Sequence, residues 1–344
     1  MIKNIFFVLL LFVLAGCIED YEAKTRGIDN ILVVEGMITS GTTQITLSKS
    51  VRLDEWLMWG ETNFVENALV YVECNDGSKS EAVSFSVIEG KYLIETGELN
   101  INAKYRLVIQ LDGEVYHSSY IAPAISPPVE LSYRINYNIN KGDTIGINYT
   151  DVLVSTQGQE NQPGYYLWSY MEDWELSSYI GWDKCWKSEN SRSLILGTSE
   201  RLSVNVIKEK KIHNINSWDD RLSELYRIRV KQYVIHQEGY DYFENLNRGT
   251  HQIGDIFGPI PSELMGNIRC VSNPRIMVIG YVDVSTITTD ELYLTSKCFD
   301  GKYRAQRAKE CSEQLQQPPY IASEWCTDCT NQGGTRKKPL DWPR

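Results

Sequence analysis

Residues 31–36, Ile-Leu-Val-Val-Glu-Gly, begin a series of strand-like runs that decides the fold of this chain. Residues 44–48, Gln-Ile-Thr-Leu-Ser, alternate polar and apolar side chains, which is typical of a strand with one buried face. Four more strand-like runs follow at residues 68–73, 83–87, 105–109 and 115–120. The pair Asp112-Gly113, which favours hairpin turns, precedes the last of them. We therefore predict a β-sandwich domain over residues 30–122.

A second β-rich domain is predicted after a proline-containing linker at residues 123–129. It covers residues 130–344, where strand-like runs occur at 131–139, 144–149, 164–170, 226–234 and 275–282. The run 226–234 has one mostly apolar face and one mostly cationic face, the latter formed by Arg227, Arg229, Lys231 and Tyr233.

The best helix candidate is residues 236–248, where Tyr240, Phe243 and Leu246 recur at helical spacing and Gly249 favours a stop. The predicted fold class is therefore all-β. It consists of two tandem β-sandwich-like domains, the second with a short helix and a cysteine-rich C-terminal segment.

The N-terminus reads as an export signal. A short charged head precedes the apolar residues 5–13 and then Leu14-Ala15-Gly16-Cys17, which resembles the bacterial lipobox. We predict a signal peptide over residues 1–16, lipidation of Cys17 and a tether over residues 17–29; an ordinary signal peptide or an anchor helix is the alternative. The acidic residues after Cys17 resemble the surface-export signal of Bacteroidota lipoproteins, although a solvated tether explains them too. The expected location is the outer membrane, with the protein facing the cell exterior.

Cysteine usage agrees with export, because an oxidising compartment permits disulfides. Six cysteines are disulfide candidates: Cys185, Cys270, Cys298, Cys311, Cys326 and Cys329. The strand-like setting of Cys74 favours a buried free thiol. The C-x-x-C at residues 326–329 favours structural disulfides, with a zinc half-site or a redox pair as alternatives. The pairing is not readable from sequence.

Composition excludes some classes of protein. The 344 residues carry a net charge of −11, which disfavours a nucleic-acid partner. Only four histidines are present, which disfavours a multi-histidine metal site. No cofactor is predicted. After the signal peptide no apolar run reaches the roughly 20 residues of a membrane-spanning helix.

An aromatic cluster is the strongest unusual feature. We consider its members a candidate contact or ligand surface, with a strand core as the competing interpretation: Trp168, Trp174, Trp182, Trp186, Tyr166 and Tyr170. Asp143-Thr144-Ile145 matches the Bacteroidota O-glycosylation pattern, which makes Thr144 a candidate glycosylation site.

Catalytic constellations are weak. Acidic residues lie beside aromatics at Glu172, Asp173, Glu175 and Asp183, as in many sugar-cleaving sites, but such mixtures also occur on ordinary sheets. The four histidines lack a nucleophile motif. No catalytic residue is assigned, and we expect the protein not to be an enzyme.

Four stretches together resemble a Bacteroidota outer-membrane lipoprotein family, domain of unknown function family 4249. They are the lipobox with Val33-Val34-Glu35-Gly36; the helix segment with residues 254–261, Gly-Asp-Ile-Phe-Gly-Pro-Ile-Pro; Gly266-Asn267-Ile268 with Ile279-Gly280-Tyr281-Val282; and Cys326-Thr327-Asp328-Cys329 with residues 333–343. The resemblance implies a surface lipoprotein encoded beside a TonB-dependent outer-membrane transporter, and it supplies no catalytic residues.

The expected function is therefore that of a non-catalytic accessory protein that binds a ligand, of unknown identity, beside a TonB-dependent transporter during nutrient uptake. Its partners would be the outer membrane, through the lipid, and the transporter. A surface hydrolase of glycan or peptide and a structural or adhesive envelope protein are the alternatives.

Overall fold

The structure is a computed structural model that describes residues 30–51, 63–137, 148–160, 162–181, 183–251, 266–295 and 302–343. Several predictions fall outside the described residues, namely those for the signal peptide, Cys17 and the tether, Thr144, Trp182, Cys298 and residues 254–261. In the parts that the structure describes, no helix is both long and apolar enough to cross a membrane.

Nineteen strands are described, and they form three sheets. The first eight are β1 (Leu32–Thr39), β2 (Gly41–Lys49), β3 (Asn63–Phe64), β4 (Leu69–Cys74), β5 (Lys79–Ser86), β6 (Lys91–Gly97), β7 (Tyr105–Leu111) and β8 (Glu114–Ser118). The next seven are β9 (Val129–Asn136), β10 (Tyr149–Gln157), β11 (Tyr165–Ser177), β12 (Lys184–Asn190), β13 (Ile195–Thr198), β14 (Val206–Asn216) and β15 (Tyr226–Val234). The last four are β16 (Ile268–Cys270), β17 (Val278–Ile279), β18 (Val284–Ser285) and β19 (Ile287–Leu294).

Three α-helices accompany the strands in the part of the chain that the structure describes. They are α1 (Gln237–His251), α2 (Lys302–Gln316) and α3 (Glu324–Thr327), and short 3-10 turns occupy Asp220–Leu222 and Cys329–Gln332. Helix α1 confirms the predicted helix, but it continues through Gly249 rather than ending there. The sequence analysis did not identify α2, whose exposed faces carry no clear apolar periodicity.

The first sandwich is one sheet of eleven strands that folds over at β5. Strand β5 pairs with β4 through its first residues and with β6 through the rest, so the two halves face each other. Alternate residues of both halves fill one core, in which Ile38, Ile45, Leu47, Ile94 and Leu107 are almost wholly buried. This period-2 burial confirms the strand-like alternation in the sequence.

The second sandwich packs a five-stranded sheet, in the order β12-β11-β15-β19 with β13 beside β11, against the three strands β14-β10-β9. The predicted two faces of β15 are present: Tyr226, Ile228 and Val230 are buried, and Lys231 is exposed. Arg227 is an exception, since it lies on the predicted cationic face yet is only 1% exposed. The chain is thus all-β, with multiple sheets, as predicted.

The predicted domain boundary is wrong in one respect. Strands β16, β17 and β18 return to the first sandwich, where β16 pairs with β8 and the other two pair in parallel with β1. Residues 30–122 therefore do not complete that sheet, because its edges at β1 and β8 take their partners from the C-terminal half of the chain.

The proline-rich segment is an ordered crossing between the sandwiches. Ala124 exchanges backbone hydrogen bonds with Val284 and Thr286, and the backbone N–H of Ser126 donates to the Thr286 hydroxyl at 2.8 Å. The Gln232 side-chain amide donates to the Pro127 carbonyl at 2.8 Å. These bonds attach the segment to both sandwiches.

Candidate functional site

Strand β11 carries most of the predicted aromatic surface, and its even-numbered side chains point into the second core. Tyr166, Trp168 and Trp174 are at most 4% exposed. The Trp168 indole N–H donates to the Gln232 side chain at 2.9 Å. The contact-surface prediction is therefore wrong for these three residues, since the sheet of β9, β10 and β14 covers this face of β11, and the strand-core interpretation applies.

Tyr170 and Trp186, the other two described members of the aromatic cluster, are half-buried. The Tyr170 hydroxyl hydrogen-bonds to Nδ1 of His213 at 2.8 Å. Burial of the hydroxyl, and to a smaller extent the nearby charge of Glu172, raises the pKa of Tyr170 to about 12. Trp186 forms a backbone bridge with Thr335. The Tyr170 ring packs against the His213 ring, with centroids 4.9 Å apart.

Glu172 lies in a buried ion network rather than in an open site. Its carboxylate is 2.6 Å from His213 Nε2 and 2.7 Å from Arg221 Nε, and it accepts from the Tyr226 hydroxyl at 3.0 Å. Burial alone raises the pKa of Glu172, but the hydrogen bonds and charges of His213 and Arg221 outweigh it and hold the pKa below its usual range. The Arg221 guanidinium also covers the Trp174 ring at 4.6 Å.

Asp173 points to the opposite face of β11, where it is fully buried. Its Oδ2 accepts from Arg227 Nη2 at 2.7 Å and from Arg229 Nη2 at 3.1 Å, and its Oδ1 accepts from the Ser188 hydroxyl at 2.6 Å. Arg227 also donates to the carbonyls of Leu340 and Asp341. The C-terminal tail is thereby attached to this face of the sheet.

The remaining two acidic candidates are also engaged. Glu175 pairs with Lys184 at 2.5 Å, and Asp183 pairs with Arg336 at 3.1 Å. Glu172 and Asp173 point to opposite faces of β11, while Asp173 and Glu175 share a face that the C-terminal tail around Trp342 covers. Each of these carboxylates has a cationic partner, so they form ion pairs rather than the open facing pair that glycoside hydrolysis requires.

Two disulfides staple the C-terminal segment. Cys185 of β12 bonds to Cys329, and Cys311 of α2 bonds to Cys326, each with Cα atoms 5.7 Å apart. The two cysteines of the C-x-x-C thus have different partners outside the motif. This arrangement confirms the prediction of structural disulfides, and it leaves no internal redox pair.

The candidate Cys270 is corrected to a free thiol. It lies buried on β16, with its Sγ 3.4 Å from the Ser272 hydroxyl and 3.7 Å from the Glu114 carboxylate. Cys74 is likewise buried and free, as expected.

An open cleft of about 570 Å³ lies where outward faces of the two sandwiches meet. Glu35 of β1 and Gln44 of β2 line one side, Leu167 of β11 and Tyr233 of β15 line the other, and Phe243 of α1 lies between them. These residues belong to the solvent-facing alternation of their strands. The cleft thus arises because two sandwich faces converge rather than because either core is open.

The cleft rests on a small apolar cluster that joins the two sandwiches. Met37 of the first sandwich packs with Tyr165 and Ile235 of the second, and all three are buried. The rim carries the cations Lys91, Arg192 and Lys231. An apolar floor with a charged rim is typical of ligand sites between domains.

Sequence reasoning missed this cleft, although two of its signals were visible. Phe243 and Leu246 formed the periodicity that predicted the helix, and Tyr233 belonged to the cationic face of residues 226–234. The sequence does not show that the helix face with Phe243 and Leu246 and the strand face with Tyr233 lie opposite β1 and β2 across the cleft.

Three segments of the family-like stretches, residues 33–36, 266–268 and 279–282, contact one another beside the cleft. Strand β1 pairs with β17 through Val33 and Ile279, and Gly280 adopts φ +143° where an added Cβ would lie 2.3 Å from the Val34 carbonyl. The Asn267 side chain bonds both the N–H and the carbonyl of Val282 at 2.9 Å. Contacts between segments that are far apart in sequence therefore fix the backbone positions of these segments.

Comparison with known proteins identifies the family of this chain. The family model described as Domain of unknown function (DUF4249) matches residues 18–291, which include all three motif segments. A search of curated proteins finds no match.

One similar solved structure is that of a DUF4785 family protein from Legionella pneumophila, with 11% identity, 58% of this chain and 52% of that chain covered, and a TM-score of 0.18. The chain spans about half the length of that protein, and a likeness of this degree carries no argument. The match of the family model over most of the residues is decisive: the chain belongs to the DUF4249 family.

Proposed function

We propose that this protein is a surface-exposed, lipid-anchored accessory protein that binds a ligand without covalent chemistry and passes it to a TonB-dependent transporter. The cleft of about 570 Å³ between the two sandwiches is the observation that carries the proposal. Its volume is in the range of small-molecule sites, which commonly lie at the junction of two structural units.

The lining of the cleft supports binding of a ligand with both polar and apolar parts. Tyr233, Phe243 and Leu246 offer apolar and aromatic area, while Gln44 and Thr46 offer hydrogen-bonding groups from the opposite sheet. Because the groups stand on strands and a helix, the site needs little ordering when it binds.

The state of the acidic residues supports a non-catalytic role. Glu172, Asp173, Glu175 and Asp183 are each occupied by cationic partners. A hydrolase would need at least one of these carboxylates free to face a substrate. The hydrolase alternative therefore has no described geometry in its favour.

A lipid on Cys17 would hold the binding cleft next to transporters in the same membrane. Confinement raises the effective concentration of the two partners, so a weak direct contact suffices for frequent delivery. The aromatic cluster is not needed for this role, since most of its described members fill a core.

Co-purification of the full-length tagged protein from outer membranes solubilised in mild detergent tests the partnership. We expect mass spectrometry to identify a TonB-dependent barrel in stoichiometric amount, and the Cys17→Ser variant to lose both the barrel and the membrane fraction. Recovery of the lipoprotein alone from several detergents would refute a stable complex.

A cleft variant separates ligand binding from transporter contact. Phe243→Ala removes apolar area from the cleft, and Tyr133→Ala removes an exposed tyrosine of β9 as the matched control. We expect only the first to impair uptake of the nutrient handled by the co-purified transporter. Equal uptake in both variants would rule out the cleft.

A further inference from the structure

A second cavity, of about 730 Å³, opens beside the start of helix α1. The charged and amide side chains that line it are not among those that line the cleft. His236 immediately precedes the helix and lines this cavity, and its side chain is 38% exposed. Tyr242 and Tyr281, whose rings stack with centroids 5.7 Å apart, contribute to the walls of both cavities.

Asp283 fixes the orientation of the His236 ring. The carboxylate is completely buried, and its Oδ1 is 2.7 Å from Nδ1 of His236, while the backbone N–H groups of His236 and Val284 each donate to it at 2.8 Å. Since Nδ1 is occupied, Nε2 is the ring nitrogen available to a ligand. A buried carboxylate that orients one nitrogen and leaves the other toward a cavity is an arrangement found at functional histidines.

The mouth of this cavity has an excess of positive charge. Lys104 and Arg269 come from the first sandwich, and both are exposed. Arg269 is held in place because its Nη1 donates to the carbonyls of Gly266 and Ile268 at 2.7 Å. Glu238 is the acidic side chain of the lining, so an anion that enters meets more cationic than anionic groups.

We infer that this cavity binds a small organic carboxylate, with its anionic group at Nε2 of His236 and near Lys104 and Arg269, and its body against Tyr242 and Tyr281. Asp283 favours the protonated form of the ring, in which Nε2 carries a proton that a carboxylate accepts. Tyr242 and Tyr281, which are buried and stacked on each other, form a wall of the cavity against which the body of such a ligand would pack. The inference goes beyond the proposed delivery function and concerns a site distinct from the cleft.

The charge state of His236 sets the pH range of binding. The hydrogen bond that His236 Nδ1 donates to Asp283 raises the pKa of His236 above its usual value, burial opposes this, and the charges of Asp283 and Glu238 add to it. Lys104 and Arg269 are further cationic side chains of the same lining. Binding is therefore expected to weaken, without vanishing, as the pH rises through the pKa of His236.

NMR on the full-length protein in detergent micelles is the direct test. The chain has only four histidines, so labelling with 13Cε1-histidine gives a spectrum simple enough to follow one ring. His236→Gln identifies the signal of His236. Sodium benzoate is the probe, and benzyl alcohol, which keeps the ring but lacks the charge, is its neutral match.

We expect benzoate to shift the His236 signal saturably at about pH 6 and to bind about tenfold more weakly at about pH 9, since a charge-assisted hydrogen bond is lost. Calorimetry should give a dissociation constant about threefold to fivefold weaker in Lys104→Ala, the size of one exposed ion pair, and unchanged in the control Lys208→Ala. The pH arm uses the unaltered chain and is independent of any effect of a substitution on folding.

Three results would overturn the inference: no saturable shift of the His236 signal with benzoate, equal binding of benzyl alcohol, or the same affinity in the two lysine variants. None of these results bears on the transporter partnership, which co-purification tests separately.

Discussion

Replacing Arg227 by methionine tests whether a buried ion pair holds the C-terminal tail on the second sandwich. The guanidinium is 1% exposed and donates twice to Oδ2 of Asp173, at 2.7 and 3.1 Å. It also donates to the carbonyls of Leu340 and Asp341 at 3.1 and 3.2 Å, and it lies over the Trp342 ring at 5.2 Å. Methionine keeps most of the volume and removes all of these bonds.

The cost follows from what is left behind. Asp173 would remain fully buried with Arg229 and Ser188 as partners, so its charge is compensated only in part. Removal of one member of a buried pair costs about 3–5 kcal/mol. Because Arg229 stays within 3.1 Å of Asp173, we expect the lower end, about 3 kcal/mol, in the free energy of unfolding.

Urea unfolding followed by tryptophan fluorescence measures this loss, and hydrogen exchange of residues 335–343 reports whether the tail is released. Arg134→Met is the matched control, because Arg134 pairs with Glu209 at an exposed position and such pairs contribute about 0–1 kcal/mol. Adding Asp173→Asn should recover part of the loss by removing the unpaired charge. A loss below about 1 kcal/mol in Arg227→Met, or unchanged exchange in the tail, would refute the reasoning.

Three further outcomes are expected. Gly280→Ala should cost about 2 kcal/mol or more in thermal unfolding, because its positive φ and a carbonyl 2.3 Å from the added Cβ both oppose a side chain; a smaller cost would mean that the strand shifts freely. Replacing both Cys185 and Cys329 by alanine should cost about 5 kcal/mol against about 3 for loss of the other disulfide, since the sequence separations are 144 and 15, and equal costs would contradict the chain-entropy argument. At pH values below about 6.5, the unperturbed pKa of histidine, His236→Gln should have a lower free energy of unfolding than the unaltered protein. This difference between the two proteins should disappear as the pH rises through the raised pKa of His236 in the folded protein. A difference in urea titrations that does not depend on pH would refute the prediction.

Local pattern predicted the strands well because burial on a sheet alternates with period 2. The two faces of β15 illustrate both the strength and the limit of that reasoning. Lys231 is exposed, as the pattern requires, but Arg227 on the same face is buried. Its cover is the C-terminal tail around Trp342, and nothing near Arg227 in sequence specifies that contact.

The main feature that the sequence analysis did not predict is the pairing of strands that are distant in sequence. The run at residues 275–282 was predicted as a buried strand, yet its pairing with β1 of the first sandwich was not. Apolar content indicates that a strand is covered, while it does not say by which neighbour. The cleft was missed for the same reason, since Phe243 and Gln44, which both line it, lie on elements far apart in sequence.

The aromatic cluster shows a different limit. Trp168 and Tyr170 stand on the same face of β11, yet the first is 1% exposed and the second half-buried. Amphipathic rings serve cores and contact surfaces equally well, so composition does not distinguish these roles.

The return of β16, β17 and β18 to the first sandwich also governs the order in which the chain can fold. Leu32 takes its partner at Val278, 246 residues later, so the N-terminal sheet has unpaired edges at β1 and β8 throughout synthesis of the intervening chain. Unpaired edges are sites of aggregation, and late closure of a long loop slows folding. Most strands of the second sandwich, β9–β15, lie between, whereas β19 follows β18 and is made only after the returning strands. The sheet edges of the N-terminal half therefore stay unpaired until β16, β17 and β18 have been made, and a chaperone that shields these edges would have the greatest effect on the yield of native protein.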